Sequence, residues 1–337
     1  MQYECIRTPE GFAALRPEWD GLLAASANNE IFLTWEWLHT WWGAYHPSDL
    51  FIWVARDERG ALVGLAPYFI DRSDPAERVV RPIGCVDVTD YLDLIYLPAV
   101  GPDFCAGLAA QLAAHRAEFD RINLCNLCEV SPTKVILPPA LEAAGFAVSI
   151  KGQEVCPVIT LPTTFEGYLE ALDKKQRHES RRKLRRAEAN EDDRVGWYIV
   201  GPQHDLTAEL ERFLQLMAAS HPDKAEFLQN AKNAAFFRAV MPQIAACGWL
   251  QLSFLTVNDE PAATYLNFDY GNRIQVYNSG LQPEKFAHLS PGIVLLLYNI
   301  RHAIEQGRKE FDFLRGNEEY KYRMGGRDRA VLEVQAR

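Results

Sequence analysis

The chain has 337 residues, of which 48% are hydrophobic and 24% charged. That is the balance of a soluble globular protein able to bury one large core or two ordinary ones, and it excludes a disordered or fibrous chain. A formal net charge of −10 argues against general nucleic-acid binding, and the longest apolar run, "IVLLLY", is far shorter than the roughly 20 residues of a membrane span. The start, "MQYECIRTPEG", has no basic segment followed by an apolar stretch, and the seven cysteines are scattered and odd in number. Both features read as a cytoplasmic protein with reduced thiols.

In chain order, "IFLTWEWLHTWWGAY" sets Trp35, Leu38, Trp41 and Trp42 at helical spacing, a stripe that reads as core, with an aromatic ligand wall as the alternative. "LFIWVARDERGALVGLAPYFI" reads as two strands around an Asp-Glu-Arg-Gly turn, "YLDLIYLP" as a third strand, "FCAGLAAQLAAHRAEF" as a helix and "RINLCNL" as a short strand. Cys125 and Cys128 are the only close cysteine pair. No second pair completes four ligands, so no metal site is expected. The turn-rich, polar residues 143–157 are the best linker, which predicts domains over 1–150 and 151–337.

Beyond the linker the order recurs. "LQLSFLTVNDEPAATYLNFDY" repeats the hairpin, "RIQVYNSGL" the third strand, "PGIVLLLYNIRHAIEQG" the helix and "EFDFLRG" the short strand. Each half is therefore an α+β layer sandwich, built twice.

Between linker and hairpin, "KKQRHESRRKLRR" at 174–186 holds eight Lys or Arg and one Glu, which leaves the rest of the chain at −17. The stretch from Pro162 to Ala189 predicts a single helix opened by a capping box of Thr163 and Glu166. Helical placement puts Phe165, Leu169, Leu172, Leu184 and Ala187 on one face, and Lys174, Arg177, His178, Arg181 and Arg185 on the other with Arg182 beside them. A lone positive patch on an acidic body draws anionic ligands. The residues alone leave a phosphate-bearing ligand and plain solvation both open.

In "HLSPGI", Ser290 can cap a helix, Pro291 suits its first position and Gly292 permits close backbone approach, which is how a helix start binds phosphate. A plain helix cap is the alternative. In "EFDFLRGNEEYKYRMGG", Asp312 lies between two aromatics in a strand, Arg315 and Gly316 end it, and Glu319, Tyr320, Lys321 and Tyr322 follow as a dense polar constellation. The aspartate can equally serve to hold a loop through hydrogen bonds.

"IFLTWEWLHTWW", "LVGLAPYF" and "LSPGIVLLLYNIRHAIEQGRKEFDFLRGNEEYKYRMGG" resemble the bacterial acetyltransferase-like family associated with cellulose biosynthesis proteins, within the GNAT superfamily. "KKQRHESRRKLRRAE" and the final lysine are more distantly similar to the Fem peptidoglycan aminoacyltransferases. The resemblance implies two tandem GNAT-like α/β/α domains, each a mostly antiparallel sheet flanked by helices, the first of them degenerate. It implies an N-acyltransferase using acetyl-CoA or another acyl-CoA, with pyrophosphate on Leu289, Ser290, Pro291 and Gly292, although of the superfamily's loop pattern only the last glycine is kept.

On that likeness Lys321 stabilises the reacting oxyanion, Asp312 or Glu319 orients or deprotonates the amine, and Tyr320 or Tyr322 protonates the leaving thiolate. Lys174, Arg177, His178, Arg181, Arg182, Arg185 and Arg315 would hold phosphates of the donor or of a nucleotide-linked acceptor. Two alternatives remain: a transferase drawing on aminoacyl-tRNA, and a non-catalytic binding protein on a decayed fold. The acceptor and the oligomeric state are not written in the sequence.

Overall fold

A computed structural model describes residues 1–45, 49–85, 88–189 and 193–337. The chain divides into two units, Met1–Val155 together with Arg329–Arg337, and Cys156–Asp328. The C-terminal residues thus belong with the first unit rather than with residues 151–328, because Val331–Ala336 pair with a first-unit strand. Each unit is an α+β layer structure.

The first unit runs β1 (Gln2–Ile6), α1 (Pro9–Ala14), α2 (Arg16–Ala25), α3 (Trp35–Tyr45), β2 (Asp49–Leu50), β3 (Ile52–Arg56), β4 (Leu62–Ala66), β5 (Tyr68–Asp71), β6 (Val79–Pro82), β7 (Ile95–Tyr96), α4 (Gly101–Ala114), β8 (Arg121–Cys128) and α5 (Thr133–Ala143). One sheet has the order β1-β3-β4-β7, all antiparallel. The other places β6 parallel to β8 and antiparallel to β5, with β2 beyond. Trp37, Leu38 and Trp41 of α3 are buried while Trp35 and Trp42 are half-exposed, so the tryptophan stripe packs into the core. Trp37, which lies outside the marked spacing, is among the most deeply buried.

Two expectations are corrected here. The supposed linker is not loop: after α5 the chain forms β9 (Val148–Thr160), in which Cys156, Pro157, Val158 and Ile159 are buried in succession. The cysteines are not all reduced, since Cys85 and Cys125 are joined. The parallel pairing of β6 and β8 brings the turn after β6 beside the middle of β8, which no sequence spacing reveals.

The second unit continues with α6 (Phe165–Ala171), α7 (Lys174–Glu188), β10 (Val195–Ile199), α8 (Leu206–Ser220), α9 (Pro222–Gln229), α10 (Ala231–Ala246), β11 (Leu250–Val257), β12 (Glu260–Tyr270), β13 (Arg273–Leu281), α11 (Pro291–Glu305), β14 (Glu310–Asp312) and α12 (Glu319–Arg323), before β15 (Arg327–Ala336). β10 to β13 form an antiparallel meander, β14 lies parallel to β13, and β9 is antiparallel to β14. The apolar faces of α6, α7 and α11 cover one side of this sheet, with Leu169, Leu184, Leu296 and Ile300 in a common core.

The single basic helix is in fact two. Asp173 interrupts it and caps α7 by accepting from the Gln176 amide at 3.0 Å, and Thr164 rather than Thr163 caps α6, accepting from the Gly167 amide at 3.1 Å. A short acceptor side chain satisfies amides that a continuing helix would leave bonded to carbonyls, so an internal aspartate can start a helix as well as decorate one. Among the described residues no helix is long and apolar enough to cross a membrane.

On the other face α8 lies so close to β13 that a Cβ added at Gly280 would sit 2.4 Å from Leu216 C and Met217 N. Gly280→Ala is expected to cost about 3 kcal/mol, because main chain on both sides cannot yield as a side chain would. Denaturant titration checks this: the midpoint should fall at unchanged slope. A midpoint equal to wild type would mean that α8 does not rest on the strand.

Candidate active site

Parallel β13 and β14 pair only from Arg273/Glu310 to Gln275/Asp312. β14 then ends while β13 runs on to Leu281, so among the described residues one edge of β13 beyond Gln275 has no strand partner. Main-chain groups along that edge find partners other than a strand. Across the other edge the pairing with β12 shifts register between Leu266 and Asn267, a bulge that bends the strands where the edge becomes free.

Lys224, near the start of α9, reaches this region. His221 caps α9 through Nδ1, which accepts from the Asp223 amide at 3.2 Å, and so fixes the first turn that carries the lysine. Lys224 Nζ donates to the Ser279 carbonyl on β13 at 2.6 Å and approaches Ser279 Oγ at 3.4 Å. Burial brings its ammonium down from the ordinary lysine range to about 8; Glu318 acts in the opposite sense and Lys321 in the same one. Sequence reading missed this residue. "SHPDKAEF" is an ordinary polar helix start, and only tertiary burial sets its lysine apart.

Lys321, only 3% exposed, sits within the same electrostatic neighbourhood. Its ammonium donates to the carbonyls of Arg315 at 2.7 Å, Gly316 at 3.2 Å and Leu314 at 3.3 Å, and pairs with Glu318 at 2.9 Å. Those carbonyls converge because Leu314 and Gly316 both have positive φ, +54° and +113°. For a leucine that conformation is strained. Asp312, fully buried, supports the same bend by accepting from the Leu314 amide at 2.8 Å. The aspartate and the lysine therefore meet around one loop, and every bond described for Lys321 is one that shapes it.

The other sequence-marked residues separate. Tyr320 points into the core edge-on to Phe313, and burial keeps its phenol protonated far above its usual range. Tyr322 is exposed and donates to Asp328 at 2.8 Å, while Glu319 pairs with Arg323 on the outer face of α12. Neither Tyr322 nor Glu319 joins Lys224 and Lys321.

In the loop before α11, Ser290 adopts the left-handed region at φ +53°. The Leu289 and Ser290 amides are bonded to the Phe286 and Ala287 carbonyls, and those of Ile293 and Val294 to the Ser290 carbonyl. Pro291 has no amide, so Gly292 alone brings a first-turn N–H without an intrahelical acceptor. The basic helix reaches this turn: Arg186 donates to the His288 carbonyl at 2.9 Å. Of the marked basic residues, all on α7, Arg181 pairs with Glu166, Arg182 with Glu179 at 2.6 Å, and Arg177 donates to the Glu170 carbonyl at 3.1 Å. Lys174, His178 and Arg185 are exposed, and among the described residues none of the three has an ion-pair partner.

Residues 174–322 match the family described as "Acetyltransferase (GNAT) domain". No curated protein matches the chain in sequence. Among solved structures it is similar to FemX, with a TM-score of 0.65 at 12% identity over 99% of this chain and 97% of that one. It is also similar to the C-terminal domain of a putative lysylphosphatidylglycerol synthetase from Agrobacterium fabrum, with a TM-score of 0.55 at 11% identity over 96% and 92% of the two chains. A tandem GNAT protein from the clavulanic acid biosynthesis pathway matches with a TM-score of 0.50 at 15% identity over 99% and 98%. At such identities the likeness is one of fold.

Proposed function

The chain carries a GNAT domain within a tandem GNAT fold, and from that premise we propose that it moves an acyl group from acyl-CoA, acetyl-CoA in the simplest case, to an amine acceptor. The observation that carries the reading is a half-buried lysine of lowered basicity beside the edge of β13 that has no strand partner.

An amine is protonated at neutral pH and must lose a proton before it can attack. With its pKa near 8, Lys224 is partly neutral at physiological pH and serves as the base. The acceptor nitrogen bonds to the thioester carbonyl carbon, the oxygen gains charge against β13 amides, and the carbon–sulfur bond breaks. The departing thiolate takes up the proton that Lys224 drew from the amine, which returns the base to its starting state. Lys321 and Asp312 act on this chemistry as positioning residues, by fixing the loop at 314–316. Pyrophosphate is assigned to the Gly292 amide and the positive end of α11, with Arg186 beside it. Lys174 and Arg185 offer further positive charge to the donor or acceptor, with the His178 imidazole beside them.

Those exposed cations also suit the second reading, an aminoacyl-tRNA donor. Thermal shift with acetyl-CoA and with charged tRNA separates the two. A donor at a hundred times its Kd should add about 2.7 kcal/mol to stability. Acetyl-CoA is expected to raise Tm and charged tRNA to leave it unchanged. A salt-sensitive shift with charged tRNA alone would reverse the assignment, and no shift with either would leave a binding protein.

A further inference from the structure

On the far side of β14 from β13, between the end of β9 and α6, the second unit holds a single pocket of about 210 Å³ that meets Val158, Thr160, Tyr168, Leu172 and Arg327. At ~30 Å³ per water that is room for several waters, and so for a small organic ligand. No residue assigned to acyl transfer lines it.

The pocket exists because one edge of β9 loses its strand before the other does. The Pro157 carbonyl accepts from the Phe313 amide and the Leu161 amide donates to the Lys309 carbonyl, both at 2.9 Å. Main-chain groups alternate between the two edges of an antiparallel strand, so those of Val158 and Thr160 are turned away from β14. The strand on that side, β15, starts only at Arg327. Just before it the Gly326 amide donates to the Lys321 carbonyl at 3.0 Å, and a Cβ there would lie 2.8 Å from Pro157 Cβ. The turn therefore closes against β9 at residue 157, and beyond that point α6 faces the strand across a gap.

The two sides of the gap differ in chemistry. Tyr168 offers its ring, since its hydroxyl already donates to the Met324 carbonyl at 3.0 Å, and Leu172 and Ala171 extend that apolar side. Facing them is one charged group. Arg327 is exposed, and among the described residues no carboxylate or carbonyl pairs with its guanidinium; the adjacent Asp328 is held by Tyr322 at 2.8 Å instead. A guanidinium is always charged and has only donors to offer, so its natural complement is an oxyanion.

We propose that this pocket binds a short aliphatic carboxylate of about four to six carbons, with its oxygens on the Arg327 guanidinium and the Thr160 amide and its chain along Tyr168 and Leu172. One cation balances one negative charge, whereas a phosphate monoester would bring a second charge against apolar walls. The site stands whether or not the second unit transfers acyl groups.

The full chain, isotopically labelled, is titrated with acetate, butanoate, hexanoate, hexanamide and butyl phosphate and followed by NMR. Saturable shifts at the Thr160 and Gly325 amides are expected with hexanoate. Butanoate should bind about tenfold more weakly, at roughly fourfold per methylene, and acetate not measurably. Hexanamide should also lose about tenfold, because its bonds lack the charge. Arg327→Met, at an exposed position, should erase the advantage of hexanoate over hexanamide, and Ala171→Phe, which puts a ring into the apolar side, should abolish binding of both. Absent shifts, equal affinity for hexanoate and hexanamide, tighter binding of butyl phosphate, or hexanoate affinity that survives Arg327→Met each overturn the proposal. If Ala171→Phe does not fold, the ligand order and Arg327→Met decide it.

Discussion

Replacing Lys224 with Met is expected to lower kcat by about 10²- to 10⁴-fold, the usual contribution of a general base, while making the protein more stable at neutral pH. The folded-state pKa near 8 lies below the ordinary 10.5. Between those values the folded chain binds fewer protons than the unfolded one, so the stability contributed by this group increases as pH rises through that window. Below pH 8 the ammonium is held where burial disfavours it, and methionine removes that penalty. The gain is on the order of 1–2 kcal/mol, after discounting for the part of the side chain in water and for the lost bond to Ser279. Calorimetry at pH 7 and pH 10.5 should show the variant ahead at the first and level at the second, and its pH–rate profile should lack the limb near 8. Unchanged turnover, or a variant less stable than wild type at pH 7, contradicts the assignment.

Lys321→Met should do the opposite to stability. Its removal leaves three carbonyls and Glu318 without their cation around a bend that already holds Leu314 at positive φ. Breaking a buried charged cluster from one side costs about 3–5 kcal/mol. Turnover is expected to fall as well, because the loop beside the unpaired edge of β13 loses its shape, and part of that loss should appear in KM. The resemblance pointed elsewhere, to a cation that stabilises the reacting oxyanion. Denaturant melts paired with kinetics distinguish the two. A variant as stable as wild type with kcat alone depressed restores the chemical role.

What could be read from residues was the local part of the fold. Alternation gave β13 its limits, and the run from Pro291 gave α11, because these elements are specified by neighbours in sequence. What could not be read depended on distant partners. Asp173 looks like any charged residue on a helix until its bond to the Gln176 amide marks a new start. Residues 143–157 look like linker until β9 starts within them at Val148 and β14 pairs with its far end. Cys85 and Cys125 are forty residues apart and meet only through sheet order. The site followed the same rule: the crowded "EEYKYR" segment drew attention by composition, yet it divides into a buried lysine and outward-facing Glu319 and Tyr322. Lys224, set apart only by what surrounds it in three dimensions, gave no sign.

The close approach at Gly280 has a bearing on redesign. Where helix and strand touch through their main chains alone, their separation is a fixed gauge, insensitive to which rotamers the surrounding side chains adopt. The helix that bears Lys224 follows directly from the one resting on this glycine, so the reach of its amine inherits that gauge. Substitutions that reshape the surroundings of Lys224 can therefore be bold in the side chains around it, provided residue 280 keeps a bare backbone.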